Sequence, residues 1–169
     1  MMAETTVSAG VISEGLKRGK AEKLSEEIEY IRFCEGFRGV ERGTVVTGKR
    51  VIFAYPHIKR IFTLEKGLKK NMGDCGLYAE EKIDGFNVRI ASVGGKVFAF
   101  SRGGFVDAFV TEKAREMGLG RFFDEYPDAV LCAEMIGNTP YTPPTADFEV
   151  KLFVFDVDGG DGGYLPCAE

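Results

Sequence analysis

The sequence lacks several features that would place it quickly in a class of protein. None of its 169 residues belongs to an apolar run approaching the roughly 20 residues of a membrane span. The N-terminal stretch "MMAETTVSAGVISEG" has neither a charged start nor a continuous apolar core, so it does not read as a signal peptide. No G-x-G-x-x-G or Walker loop occurs, which excludes the most familiar phosphate-binding loops. We therefore expect a cytoplasmic protein without a membrane partner.

Metal-binding side chains are also scarce. The only histidine is His57, and no two of the four cysteines form a C-x-x-C pair. The cysteines are Cys34, Cys75, Cys132 and Cys167. Because zinc sites usually need closely spaced cysteine and histidine ligands, reduced thiols are favoured over a zinc site. The net charge of −4 excludes the global basicity of a chromatin protein, although a local basic patch would still suffice for nucleic-acid phosphates.

The composition, 44% hydrophobic and 28% charged, is typical of a soluble globular protein. The length allows one ordinary domain, or one domain with a small appendage. Strand-like patterns dominate the second half, with helical patterns between them. This order favours an α+β fold of twisted antiparallel sheets with flanking helices over a doubly wound one. We divide the chain into an N-terminal helix and β module, residues 1–70, and a second unit, residues 71–169.

The N-terminal unit contains three segments with a local prediction. The first dozen residues are expected to be frayed. The spacing of Leu24, Ile28 and Ile31 in "AEKLSEEIEYIRF" predicts a short amphipathic helix. The stretch "GTVVTGKRVIFAYP" predicts two short strands around "TGK", and "IKRIFTLEKGLKKNMG" predicts a partial helix closed by Gly73.

The second unit begins with a predicted β meander. The strand "YAEEKI" would turn at Asp84-Gly85 into "FNVRIAS", and "VGGK" would turn that strand into "VFAFSR". A helix is expected from Ala108 to Met117, stopped by Gly118. The segments "AVLCAEMIG" and "KLFVFDVD" are predicted to be buried strands joined by a proline-rich loop.

Polar residues interrupt four of these apolar segments. The segment "KIDGFNVR" contains Lys82, "SRGG" contains Arg102, "AEMIG" contains Glu134, and "FVFDVD" contains Phe155 and Asp156. A surface hairpin at Asp84-Gly85 would explain the first segment alone. Four interruptions facing one pocket are harder to explain by packing, since a buried charge without a partner is costly.

This ordered set of motifs resembles a known superfamily. K-x-D-G-x-N, S-R-G-G, A-E-x-x-G and F-x-F-D, in this order, look like the covalent nucleotidyltransferases, which are the ATP-dependent ligases and mRNA capping enzymes. Asparagine at the fifth position after the lysine is more similar to RNA ligases. The upstream run from Arg42 to Lys70 further resembles the archaeal homodimeric group of RNA ligases. The resemblance implies that residues 71–169 are the first part of an adenylation domain.

The resemblance also implies a role for each matching residue. Lys82 would be the catalytic nucleophile toward ATP. Nucleotide contacts would come from Glu80 or Glu81 at the adenine edge, Asn87 at the α-phosphate, Arg102 and Glu134 at the ribose, and Phe155 on the adenine face. Phosphate contacts or structural support would come from Asp84, Arg89 and Asp156. The implied cofactors are ATP and Mg²⁺, with no metal ligand assigned, and the implied partners are RNA ends and a second copy of the chain.

The chemistry of lysine sets a condition on this assignment. At a pKa near 10.4, only about 1 lysine in 2,500 is neutral at pH 7. An attack on the α-phosphorus needs the neutral amine, so burial or cationic neighbours should depress the pKa of Lys82. Arg89, Arg102 and Mg²⁺ could supply that positive field.

The sequence departs from the superfamily pattern after F-x-F-D. The E-G-x-V and K-x-K motifs that follow in the superfamily are missing, as is the C-terminal region of the archaeal group. We therefore expect either a truncated ligase, which would turn over weakly, or a shortened paralogue that binds ATP or RNA without catalysis. A DNA ligase-like or GTP-using protein is a further alternative.

The basic run from Lys59 to Lys70 allows two interpretations. It contains five basic residues against Glu65. A solvated helix face is favoured over a contact surface for RNA phosphates.

Overall fold

The computed structural model describes residues 7–57, 61–73, 79–141 and 149–166. The elements in this part of the chain are α1 (Ala9–Lys17), β1 (Ala21–Ser25), β2 (Glu29–Phe33), β3 (Val45–Thr47), β4 (Arg50–Ile52), α2 (Leu64–Met72), β5 (Phe86–Val93), β6 (Lys96–Ser101), α3 (Ala108–Glu116), α4 (Leu119–Glu125), β7 (Val130–Ile136) and β8 (Lys151–Asp158). The strands form two antiparallel sheets with the orders β1-β2-β3-β4 and β6-β5-β7-β8. The predicted α+β fold with antiparallel sheets and flanking helices is confirmed.

The second sheet has a different neighbour on each face. One face packs against α3 and α4 in an apolar cluster that includes Val88, Ile90, Val110, Ala114, Phe123 and Leu131. The other face packs against the first sheet through Tyr30, Val45, Ile52, Ala91, Phe98, Phe100 and Val130. Because side chains alternate along a strand, Asn87 and Arg89 of β5 lie on the face turned toward the first sheet. Burial of apolar area on both faces stabilises the arrangement.

Several local predictions are confirmed. β5 and β6 form a hairpin in which Val93 pairs with Lys96. The two glycines between them have φ values of 59° and 76°, the left-handed conformation that this tight turn requires. The short strands β3 and β4 flank "TGK", and Gly73 caps α2. α3 begins at Ala108 and is followed by Gly118 in the left-handed conformation.

The helix predicted from Leu24, Ile28 and Ile31 is wrong. This stretch is the hairpin β1–β2, in which Leu24 pairs with Tyr30. Tyr30 is buried, and its ring lies edge-on to Phe100 of the second sheet. This packing outweighs the helical spacing of the three apolar residues, because a short segment takes the conformation that its tertiary contacts favour.

The predicted fraying of the first dozen residues is also wrong for the described part. α1 begins at Ala9, and the hydroxyl of Ser8 accepts a hydrogen bond from the amide of Val11 at 3.3 Å. An N-cap of this kind satisfies a donor that would otherwise lack a partner at the helix start.

α2 stands apart from both apolar cores. It has no buried residue, in agreement with the interpretation of its lysines as a solvated face. The expected boundary after residue 70 falls within this helix, and the division into residues 1–70 and 71–169 stays a prediction. No helix in the described ranges is both long and apolar enough to cross a membrane.

The first strand predicted for the meander is wrong. Residues 79–85 form no strand, and Tyr78 lies outside the described residues. The reason is topological, because β5 is paired with β6 on one side and β7 on the other. Both edges of β5 are occupied, so a strand preceding it has no place beside it. Asp84-Gly85 is therefore the entrance to a central strand and not the turn of a surface hairpin.

β8 was predicted to be buried, and this is wrong for much of its length. It is the edge strand of the second sheet, and the side chains of Phe153 and Val154 are 39% and 46% exposed. β7 lies between β5 and β8 and is buried as predicted.

Two arginines connect the sheets. The buried guanidinium of Arg89 donates to the carbonyls of Phe53 at 2.7 Å, Gly43 at 2.9 Å, Ser101 at 2.9 Å and Ile52 at 3.4 Å. Burial lowers the pKa of Arg89 to about 10, which leaves it charged at neutral pH. Arg50 of β4 similarly donates to backbone carbonyls near β5 and β7, those of Ser92, Pro127 and Ala129.

Replacing Arg89 by methionine should destabilise the protein strongly. The substitution keeps much of the volume but removes the donors from carbonyls of both sheets. Each buried carbonyl left without a donor costs about 1–3 kcal/mol, so we expect the free energy of unfolding to fall by about 3 kcal/mol or more. Chemical denaturation measures the change.

The matched control is Arg121→Met, at an exposed position of α4. It should change the unfolding free energy by no more than about 0.5 kcal/mol. Equal effects of the two substitutions would contradict the bridging role of Arg89.

Candidate active site

Two adjacent strands place two predicted site residues opposite each other. Asn87 of β5 pairs with Glu134 of β7, and Glu134 pairs with Phe153 of β8. The amide Nδ2 of Asn87 donates to Oε1 of Glu134 at 3.2 Å. Two motifs that are 47 residues apart in sequence are therefore in direct contact.

The second carboxylate oxygen of Glu134 has no hydrogen-bond partner among the described residues. Oε2 is buried and accepts no hydrogen bond from the described residues. An acceptor in this state is costly and therefore rare in native structures. It is suited to accept a hydrogen bond from a ligand hydroxyl or amine placed over the sheet.

Phe155 lies at an irregularity of β8. Cys132 pairs with Asp156, whereas the next residue of β7, Ala133, pairs with Val154. Phe155 is thus the extra residue of a β-bulge and has no partner on β7. Bulges of this kind redirect side chains, often beside functional sites.

An aromatic residue from the first half of the chain contacts this bulge. The ring of Tyr55 lies 5.2 Å from the ring of Phe155, with 88° between the ring planes. The Tyr55 hydroxyl donates to Oδ2 of Asp156 at 2.5 Å. Burial, together with this hydrogen bond, raises the pKa of Tyr55 above its ordinary value. Sequence reasoning missed Tyr55, because the stretch "FAYP" indicates only that a strand ends before Pro56.

Buried Cys132 lies next to this cluster. Burial raises the pKa of its thiol to about 12, so it is protonated at neutral pH and unsuited to nucleophilic attack.

The segment containing Lys82 is exposed. Glu80, Glu81, Lys82 and Asp84 are all at the surface. The Lys82 ammonium lies 3.7 Å from Oδ1 of Asp84, and these two side chains are 83% and 101% exposed. Among the described residues, Lys82 has neither the burial nor the cationic neighbours expected from the sequence. Arg89, one expected source of positive charge, instead directs its guanidinium to the carbonyls between the sheets. Of its two expected roles, the contacts favour structural support.

Gly85 fixes the path of this segment over the sheet. A Cβ atom at Gly85 would lie 2.4 Å from the carbonyl oxygen of Met135, the residue after Glu134. Only glycine allows this approach without a shift of the backbone. Lys82 therefore lies three residues before a point of backbone contact with β7.

Arg102 lies in the exposed loop after β6. The N-terminal sheet holds this loop through Arg32 of β2. The Arg32 guanidinium donates to the carbonyl of Gly103 at 2.9 Å and lies 3.7 Å from the centre of the Phe105 ring. A Cβ at Gly43 would lie only 2.2 Å from the Arg102 carbonyl oxygen. Sequence reasoning missed Arg32 and Gly43, which carry no local signal of contact with this loop.

The described side chains do not assemble a protein-only metal cage. No group of three or more histidine, cysteine, aspartate or glutamate residues in the described ranges is arranged to hold a metal ion. Mg²⁺ is commonly held by one or two carboxylates together with substrate phosphates, so its use with ATP requires no such cage.

Solved structures of ligases share this fold. A protein of Aquifex aeolicus provisionally assigned as an ATP-dependent DNA ligase matches with a TM-score of 0.81 and 37% identity, over 95% of this chain and 46% of that one. Two forms of an archaeal ATP-dependent RNA ligase match with TM-scores of 0.79 and 0.80, at 30% and 32% identity, over 96% and 94% of this chain and 46% of theirs. The fold is that of the nucleotidyltransferase domains of ATP-dependent ligases.

The family follows from the sequence itself. The family model described as RNA ligase matches residues 77–169, more than half of the chain, so the chain belongs to the RNA ligase family. An uncharacterised protein of Methanocaldococcus jannaschii is 38% identical over 122 residues, which are 70% of this chain and 31% of that protein. The chain spans less than half of the length of each of these relatives.

Replacing Gly85 by alanine should destabilise the site. The new methyl group would collide with a backbone oxygen of β7, which cannot turn aside, and overpacking of this kind costs about 1–3 kcal/mol. We expect a lower midpoint in thermal or chemical unfolding.

Gly120→Ala is the matched control, since a Cβ there meets nothing within 4 Å and the position is helical. It should leave stability unchanged or raise it by up to about 1 kcal/mol. A Gly85→Ala protein as stable as the Gly120→Ala protein would show that the close approach of the backbones is not needed.

Proposed function

We propose that the chain carries out the adenylation chemistry of an ATP-dependent RNA ligase. The observation that carries the proposal is the contact of Asn87 with Glu134 beside the bulge at Phe155. The second carboxylate oxygen of Glu134 is buried and has no partner in the described part of the chain. A nucleotide could meet these groups with its ribose hydroxyls and adenine ring. Membership of the RNA ligase family supports the same chemistry.

In the proposed reaction, Lys82 attacks the α-phosphorus of ATP. The Nζ atom gives up a proton and forms a P–N bond, the bond from the α-phosphorus to the bridging oxygen breaks, and pyrophosphate leaves. The AMP then passes from Lys82 to the 5′-phosphate of an RNA end. Attack by a 3′-hydroxyl forms the phosphodiester bond and releases AMP.

The surrounding residues would bind and orient the nucleotide. Glu134 would accept hydrogen bonds from the ribose, and Arg102 would contact the ribose or the phosphates. Phe155 would stack on the adenine. Asn87 would orient the α-phosphate, and Glu80 or Glu81 would contact the adenine edge. Mg²⁺ would enter with the phosphates of ATP.

The exposure of Lys82 bears on this reaction. A nucleophilic lysine needs its neutral form, so binding of ATP would have to bring Lys82 into a drier or more cationic setting. The guanidinium of Arg102 is exposed and forms no ion pair with the described residues. It could provide part of that positive field.

The partners and the compartment stay proposals. We propose RNA ends as the substrate and the cytoplasm as the location, and a homodimer follows only from the archaeal group that the sequence resembles. A DNA substrate is the second candidate, favoured by the similarity to the Aquifex aeolicus protein. Supplying nicked RNA and nicked DNA duplexes in parallel distinguishes the two.

Substitution of Lys82 should abolish covalent labelling by ATP. With α-labelled ATP and magnesium, the wild-type chain should acquire AMP in a bond that is stable to base and labile to acid, as a phosphoramidate is. Lys82→Arg and Lys82→Ala should acquire none, because a guanidinium stays protonated and a methyl group has no nucleophile.

Lys96→Arg, at the exposed β5–β6 turn, is the control and should be labelled like the wild type. Labelling of Lys82→Ala at the wild-type level would reject the assignment of the nucleophile. Labelling should be measured separately from the joining of ends.

Glu134→Gln should weaken nucleotide binding without unfolding the protein. Glutamine keeps an oxygen for Asn87 but replaces the unpaired acceptor by a donor. Hydrogen bonds to charged groups contribute about 1.5–3 kcal/mol, so calorimetry should show at least about a tenfold rise in the Kd for ATP.

Glu112→Gln, on the exposed surface of α3, should bind ATP like the wild type. Unchanged affinity in the Glu134→Gln protein would remove Glu134 from the site.

A further inference from the structure

We propose that Tyr55 is a positioning residue of the nucleotide site, which supports the Phe155 ring and holds the Asp156 carboxylate in place. The inference rests on the proposed function. Tyr55 lies outside residues 77–169, the part that the RNA ligase model matches. It would thus be a contribution of the N-terminal segment to a site whose motifs all lie at Lys82 or later in the chain.

Phe155 needs support from outside its own strand. As the extra residue of a bulge it lacks a partner on β7, and β8 is the last strand of its sheet. The neighbouring Phe153 and Val154 are exposed and pack little against the core. The ring of Tyr55 is therefore an important constraint on the direction of Phe155.

The geometry of the contact leaves one face of the Phe155 ring clear of Tyr55. The two rings are nearly perpendicular, at 88°, so Tyr55 does not lie flat on Phe155. A ring has two faces, and an edge contact can cover only one of them. At least one face of Phe155 is left uncovered by Tyr55, and an adenine could stack there.

Tyr55 is itself held firmly. The residue before it, Ala54, donates its amide hydrogen to the Thr44 hydroxyl at 3.2 Å, and the carbonyl of Phe53 accepts from Arg89. The ring of Tyr164 lies 5.4 Å from that of Tyr55, at 69°. Because the hydroxyl of Tyr55 also binds Asp156, two successive residues of the bulge are fixed by one side chain.

Two substitutions separate the ring from the hydroxyl. Tyr55→Phe keeps the ring and removes the hydrogen bond to Asp156, whereas Tyr55→Leu removes both. We expect the Kd for ATP to rise about tenfold in Tyr55→Leu and by less in Tyr55→Phe, since an aromatic pair and a hydrogen bond each contribute modestly. At saturating ATP the rate of AMP transfer to Lys82 should change less than the Kd.

Phe123→Leu is the matched control on the other face of the second sheet. Phe123 is buried in the apolar cluster with α3 and α4, and among the described residues it forms no ring contact with Tyr55 or Phe155. Chemical denaturation should show destabilisation in both leucine variants, while only Tyr55→Leu should weaken ATP binding strongly. Equal losses of affinity would mean that general packing, and not support of Phe155, is responsible, and would overturn the proposal.

The absence of tryptophan from the sequence allows a direct optical test. Phe155→Trp introduces a single indole at the bulge, whose fluorescence anisotropy reports how firmly the ring is held. Adding Tyr55→Leu should lower this anisotropy in the folded protein without any nucleotide. Unchanged anisotropy would refute the positioning role.

This readout separates the two hypotheses. If the wild type neither binds ATP nor labels Lys82, the proposed function fails, whatever the indole shows. If the wild type is labelled and Tyr55→Leu binds ATP as well as the wild type does, only the role of Tyr55 fails.

Discussion

The guanidinium of Arg89 is the interaction on which the arrangement of the two sheets depends. It comes from the central strand β5 and binds carbonyls of the segment before β3, of the last residue of β4 and the residue after it, and of the end of β6. A charged group is costly to bury, and here backbone oxygens compensate for the lost water. Such an arrangement tolerates little displacement, because a planar group that donates to several fixed oxygens fits only one position.

The candidate site inherits its geometry from this bridge. Asn87 lies two residues before Arg89 on the same face of β5, so fixing one residue fixes the direction of the other. β7 is paired with β5 along the same stretch, which sets Glu134 opposite Asn87. On the side of the first sheet, the chain that leaves β4 leads within three residues to Tyr55, whose side chain contacts the bulge of β8. A displacement of the interior Arg89 would therefore also displace the motif residues at the surface.

The sequence allowed the prediction of features whose signal is local or depends on order. The glycine pair between β5 and β6, the cap and stop of α3, and the sequence of four motifs fall in this group. Features determined by distant contacts could not be predicted. Tyr30 draws its segment into a hairpin by packing on Phe100, and Tyr55 meets Asp156 across 101 positions of the chain. Arg89 resembled a phosphate ligand in sequence, since nothing local indicates that carbonyls from three segments surround it.

The bulge in β8 has a consequence for how the length of this strand can vary. Strict alternation would send Phe155 and Asp156 to opposite faces, yet both touch Tyr55. The extra residue resets the alternation, so that side chains on either side of it keep their own partners on β7. Loss of one residue at this point would leave both flanking pairings intact and close the strand into a regular ladder. A homologous chain shorter by one residue here would keep the sheet and lose the aromatic ring. Such a chain could therefore share the fold without sharing the site.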